Sequence, residues 1–150
     1  MNRNLSVTLE WKGPFTDESN IPNRALIYMV LSGRKNEKDE FITDLYKILD
    51  IGQTGEARTR IATHDREACW ERNKAPNHTI CYKYALMPSD RYDETDRRIV
   101  ECCLRSNHKP PCGTECNEGY NRTDIVAIKN TGNRLPLEET YTCQPPRIRR

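Results

Sequence analysis

A phenol, a guanidinium, an imidazole and a carboxylate follow one another along this chain in an order that suits one kind of chemistry. Tyr28 closes the triplet Leu26-Ile27-Tyr28, and Asp50-Ile51-Gly52-Gln53-Thr54 ends a second apolar segment. Arg60 and His64 stand four residues apart, which sets them on one face of a helix. Glu101 lies in the later segment Ile99-Val100-Glu101-Cys102-Cys103-Leu104, and Asn117 follows a proline-containing loop. Metal-assisted hydrolysis of a phosphodiester needs these parts. A carboxylate holds a hard divalent cation, arginine neutralises the phosphate, and phenol or imidazole handles the proton of the attacking water. Gly52 and Thr54 sit at the turn after the second segment, where glycine lets backbone amides approach a phosphate.

Each residue also fits a plainer role. Tyr28 in an apolar strand suits a core, and Arg60 and His64 suit a solvated helix face. Glu101 follows Arg97 by four residues, the spacing of an ordinary helix ion pair. Asp50 suits a turn cap, and Gly52 and Gly55 suit positions of positive φ. The ordered set carries more than any member of it.

The cysteines form a second constellation. Seven is an odd number, and the start, Met1-Asn2-Arg3-Asn4, leads into polar alternation rather than an apolar signal core. The expectation is therefore a cytoplasmic chain with reduced thiols or a metal site, not a disulfide framework. Cys112-Gly113-Thr114-Glu115-Cys116 is the close pair, with Cys102, Cys103, His108 and Cys143 as further ligand candidates. Structural zinc prefers four soft ligands in paired close spacings, so free, mostly buried thiols are expected ahead of Zn2+.

The elements that must position these groups can be read from periodicity. Leu5, Val7 and Leu9 alternate with polar residues as a half-buried strand that Gly13-Pro14 breaks, and a polar loop runs to about Arg24. Ala25 to Leu31 is apolar and short, a buried strand, and Ser32 to Glu40 is a polar loop. Phe41 to Ile51 is a third strand with Leu45, Ile48, Leu49 and Ile51 as its apolar members, which makes an antiparallel hairpin with a long tip. From Glu56 the period becomes helical through Ala57, Ile61, Ala68 and Trp70, ending near Asn73. Thr79 to Met87 alternates as a strand with Ile80, Tyr82, Tyr84 and Leu86 on one face. Asp93-Glu94-Thr95-Asp96 supplies caps and first-turn carboxylates for a helix carrying Ile99, Val100, Cys103 and Leu104. Pro110-Pro111 closes that region, and Asp124 to Ile128 is a last short strand. These elements predict an α/β fold, a small, mostly antiparallel central sheet flanked by helices.

The chain has 150 residues, the size of one domain, with 31% charged and 35% apolar residues. A formal charge of +2 neither demands nor excludes a polyanionic partner. The seven-residue run Ala25 to Leu31 is the longest apolar one, far below the roughly eighteen residues a membrane helix needs. A membrane-spanning helix, a collagen-like chain and a wholly disordered tail are excluded. Residues 144–150, Gln144-Pro145-Pro146-Arg147-Ile148-Arg149-Arg150, form a basic terminus that reads first as a solubilising tail.

At the singled-out residues the chain resembles the GIY-YIG nuclease family, whose first strand ends Gly-Ile-Tyr and second ends Tyr-Ile-Gly. Leu26-Ile27-Tyr28 matches the first element without its glycine, and Asp50-Ile51-Gly52 matches the second with its tyrosine replaced. Arg60 falls eight residues after Gly52, as the family's helical arginine does, and His64 stands one turn beyond it. Glu101 is similar to the family's metal glutamate, and Asn117 to its downstream asparagine. The likeness covers residues 25–117, leaving 1–24 as an N-terminal strand and loop extension. The connector from Tyr28 to Asp50 exceeds the family's usual length, an insertion that a hairpin tip tolerates cheaply. The resemblance implies a DNA endonuclease, acting on double-stranded or branched DNA, alone or as an oligomer, with Mg2+ or Mn2+ held by Glu101. In it Tyr28 and His64 handle water and proton, Arg60 stabilises charge, and Gly52, Thr54 and Asn117 meet substrate. At Asp50 an ionised carboxylate accepts but does not donate, and it repels phosphate. The residue therefore points either to an additional catalytic or metal-binding carboxylate, or to a non-catalytic nucleic-acid or protein-binding module on the nuclease fold. A zinc-stabilised interaction protein is the remaining alternative.

Overall fold

The computed structural model describes residues 4–55, 66–113 and 125–143. Among them run β1 (Asn4–Phe15), a 3-10 turn (Glu18–Asn20), β2 (Leu26–Lys35), β3 (Phe41–Thr54), α1 (Glu67–Asn73), β4 (Thr79–Leu86), α2 (Glu94–His108), β5 (Ile125–Gly132) and β6 (Thr140–Cys143). The strands form a mixed sheet in the order β3-β2-β4-β1-β5-β6. β1 runs parallel to β5, and the other neighbouring pairs are antiparallel. The α/β architecture and mostly antiparallel sheet are those the periodicity predicts.

β2 is apolar on both sides because both faces of the sheet are covered. Ile27, Met29 and Leu31 pack with Ile51 and with Val100, Cys103 and Leu104 of α2. Leu26, Tyr28 and Val30 pack the other way, against Leu49, Trp70 of α1 and Cys112. The register of β2 against β3 slips by one residue between Val30 and Leu31. This bulge turns Leu49 and Asp50 together toward the α1 face, the re-aiming that an extra residue in one strand produces. α2 begins in a capping box, with Asp93 accepting from the Asp96 amide at 2.7 Å and Asp96 returning the bond. Its last turn passes to Lys109, in the left-handed region, before the two prolines.

Four sequence expectations change. β1 does not stop at Gly13-Pro14 but reaches Phe15, because Pro14 falls where pairing with β4 slips between Lys12 and Phe15 and no regular ladder bond is required. The N-terminal segment is no appendage: β1 lies inside the sheet, between β4 and β5. On β4 the fully buried residues are Cys81, Lys83 and Ala85, followed by Met87 just past its end, while Ile80, Tyr82, Tyr84 and Leu86 share the other face and are half-buried. The hairpin is also longer than the pattern suggests, with β2 continuing to Lys35. The side chain of Leu45, and residues 56–65, 114–124 and 144–150, lie outside the description.

The cysteines overturn the expectation of free thiols. Cys69 is bonded to Cys112 and Cys103 to Cys143, each pair with Cα atoms 6.0 Å apart, and Cys102 is disulfide-bonded too. Cys81 is free and buried. The pairs are 43 and 40 residues apart in sequence, so spacing along the chain gives no sign of them; the sheet and helices bring them within bridging distance. No helix among the described residues is long and apolar enough to cross a membrane.

Candidate functional site

Tyr28 and Gly52 meet across the β2–β3 ladder as directly paired residues. The phenol lies flat over Gly52, and a Cβ there would overlap its oxygen and Cζ. A glycine is therefore required by close approach, not by backbone angle. Tyr28 is wholly buried, as the plainer reading of an apolar strand has it.

Asp50 lies on the same face two pairs along, opposite Val30, and is likewise inaccessible. Its Oδ2 accepts from Trp70 Nε1 at 2.8 Å. Its Oδ1 stands 3.2 Å from Arg66 Nη1 and 3.9 Å from Arg105 Nη2, an interaction of charge rather than of well-directed hydrogen bonds. Burial pushes the carboxyl's pKa up; Arg66, the indole N–H, Arg105 and the Ile51 amide oppose it. Gly113, at φ +79°, closes over this group, where a Cβ would overlap both Asp50 Oδ1 and Arg66 Nη1.

Glu101 comes from α2, which packs on the opposite face, and reaches the site around the sheet's β3 edge. It accepts from the Gln53 amide, and its Oε1 lies 3.4 Å from Arg105 Nη1. Its side chain keeps 19% of its surface exposed. Burial raises its pKa, against the pull of Arg105, the Gln53 amide and Arg66, and the Asp50 charge adds to the rise. The edge of β3 from Leu49 to Gln53 is thus satisfied by side chains and a loop. Arg105 Nε donates to Ile51 O at 2.7 Å, and the Cys112 amide donates to Leu49 O at 2.9 Å. An edge covered this way does not recruit another strand.

The helix ion pair of Glu101 is with Arg105, not Arg97. A glutamate placed N-terminal to its basic partner at this spacing is the better-oriented arrangement. Arg97 instead donates from Nε to Gln53 Oε1 at 3.3 Å and from Nη1 to Tyr92 O at 3.2 Å.

The sequence-predicted residues are therefore partly assembled. Tyr28, Asp50, Gly52 and Glu101 converge on one stretch of β3, and Thr54 ends that strand opposite Leu26. Arg60, His64 and Asn117 lie outside the described residues. Among the described residues no group of three or more His, Cys, Asp and Glu side chains is placed to hold a metal ion. The thiolates that a zinc site would have drawn on are not free, since Cys69, Cys102, Cys103, Cys112 and Cys143 are in disulfides. Sequence reasoning missed Arg66, Trp70 and Arg105. The spacing of Glu101 to Arg105 was a usable signal; nothing in spacing marks Arg66 or Trp70 as partners of Asp50. Comparison with protein-family models, with curated proteins and with solved structures returns no match for this chain.

Proposed function

We propose that this chain is a GIY-YIG-type nuclease that hydrolyses DNA phosphodiester bonds with Mg2+ or Mn2+. The observation that carries the reading is the convergence on β3: Tyr28 seated on Gly52, with Glu101 arriving at Gln53 from a later helix. The order strand, strand, helix, strand, helix from β2 to α2, with the Leu26-Ile27-Tyr28 strand inside the sheet, supports it. Magnesium commonly keeps several waters and binds through one or two carboxylates plus substrate phosphate, so the partly exposed Glu101 is an adequate protein anchor. Such a cation would polarise the scissile phosphate and offset its developing charge. Arg66 and Arg105 add positive charge beside it, in the role the resemblance gives to Arg60.

A second reading is favoured by a specific observation. Tyr28 is wholly buried, and Asp50 faces Trp70 and two guanidinium groups rather than solvent. In that reading the module keeps the scaffold and binds nucleic acid or protein without cleaving.

Supercoiled plasmid with Mg2+ or Mn2+ separates the two. Cleavage by the wild type that Glu101→Gln abolishes, with the thermal midpoint little changed, is the expected result. The substitution keeps the shape and the bond from Gln53 while removing the charge a hard cation requires. A fully active variant removes Glu101 from the site, and an inert wild type that still retards DNA favours the second reading.

A further inference from the structure

Arg105 distributes its three guanidinium nitrogens over three different groups. Nε donates to the Ile51 carbonyl at 2.7 Å, Nη1 faces Glu101 at 3.4 Å, and Nη2 faces Asp50 at 3.9 Å. Its side chain is only 11% exposed. One planar, rigid fork thus joins the backbone of an edge strand to both carboxylates of the motif region. A lysine there would present a single point charge on a flexible stem and would not reproduce the fork. Arg66 adds a second cation to Asp50 from the start of α1, at 3.2 Å. Arg105 alone of the two is seen to join Glu101, Asp50 and the β3 backbone in one side chain.

We propose that Arg105 is the positioning residue of the site, holding the Glu101 carboxylate against β3 at Gln53 in the orientation in which it can take a cation. The proposal rests on the nuclease reading for what Glu101 does, but not for where Glu101 is held. Without the fork, Glu101 is free to swing along α2 toward solvent, and the Gln53 amide loses its acceptor.

The test uses the full-length protein and two readouts. Amide hydrogen exchange in wild type and Arg105→Lys reports the hold itself. The Gln53 amide should exchange about tenfold faster in the variant, the scale of one charged hydrogen bond, while Val100 and Leu104 in α2 keep their protection. Plasmid cleavage across a Mg2+ titration reports the consequence. The Mg2+ concentration for half-maximal rate should rise about tenfold, with the KM for DNA changed less than twofold. Unchanged exchange at Gln53 overturns the proposal whether or not the protein cleaves DNA. So does uniform loss of protection through α2, which would make Arg105 a general stabiliser of the fold. If Arg105→Lys selectively accelerates Gln53 exchange while the wild type never cleaves DNA, the positioning role stands and the nuclease reading falls.

Discussion

Asp50 on β3 and Lys83 on β4 are charged residues withdrawn from water on opposite faces of one sheet, at 0% and 2% exposure, and their surroundings differ in kind. Asp50 sits among two guanidinium groups and an indole N–H, with Glu101 as a second carboxylate matched to the second arginine. Lys83 meets the Leu135 carbonyl at 2.9 Å and the face of Tyr46 at 4.3 Å, and among the described residues no carboxylate. Burial pushes its pKa down to about 8, whereas at Asp50 opposite charges resist what burial does. In the first arrangement opposite charges offset part of what desolvation costs. The second is a lone cation whose stem packs in the core while carbonyl and ring only partly replace its water. Matched charge suits a site that must hold a geometry; the lone lysine is a standing penalty.

Removing one partner from the matched cluster should have the largest effect. Asp50→Ala removes the carboxylate that faces two half-buried guanidinium groups and the Trp70 indole, and should lower unfolding free energy by about 3–5 kcal/mol in urea titration. A loss below about 1 kcal/mol would mean that the cluster relaxes into solvent. Asp50→Tyr places here the phenol of the pattern that the chain resembles but removes the carboxylate from the same arginines beneath Gly113, so it should destabilise as well.

Lys83→Met should act in the opposite direction. Below about pH 8 the ammonium is charged in both folded and unfolded chains and the full penalty applies; above the ordinary 10.5 it is neutral in both and the penalty is gone. The variant should therefore gain roughly 3 kcal/mol at most near neutral pH. That gain should shrink toward zero between about pH 8 and 10.5. Cys81 and Tyr46, both pushed up to about 12 by burial, lower stability at alkaline pH in both proteins, and the Lys83 charge opposes the rise at Cys81 in the wild type alone. The difference between the two proteins thus isolates Lys83 below the ordinary thiol value of 9.0, where Cys81 is neutral in both. A pH-independent difference would show that only packing changed.

Gly52→Ala should have the smallest effect of the three. The new methyl must push aside a buried phenol, and overpacking of this kind costs about 1–3 kcal/mol. Thermal unfolding and the near-ultraviolet tyrosine signal report it together. An unchanged midpoint would show that Tyr28 moves freely, which would sharpen its claim to a role beyond packing.

Much of the fold was legible because its signals are local. The apolar run at Leu26 to Leu31, the capping residues before Glu94 and the prolines after His108 act over a few residues, and their elements appear where periodicity puts them. β6 was not legible, since Thr140–Cys143 is only four residues long, too short for the alternation of Tyr141 and Cys143 with threonines to stand out. The buried face of β4 was misread because Lys83 counts as polar in any pattern, while the half-buried face shows Ile80, Tyr82, Tyr84 and Leu86.

For the site the division is sharper. Sequence by itself determined which residue types are available, the apolar strand that carries Tyr28, the strand that closes just past Gly52, and the helix that carries Glu101, because type and short spacing are properties of the chain alone. Tertiary structure decided what those residues touch. The bulge at Leu49 turned Asp50 inward to Trp70, and the edge position of β3 let Arg105 reach around to Ile51. Packing also brought Cys69 and Cys112 together from 43 residues apart. Such contacts depend on register and on which strand lies at an edge, and both follow from how all the strands share one core.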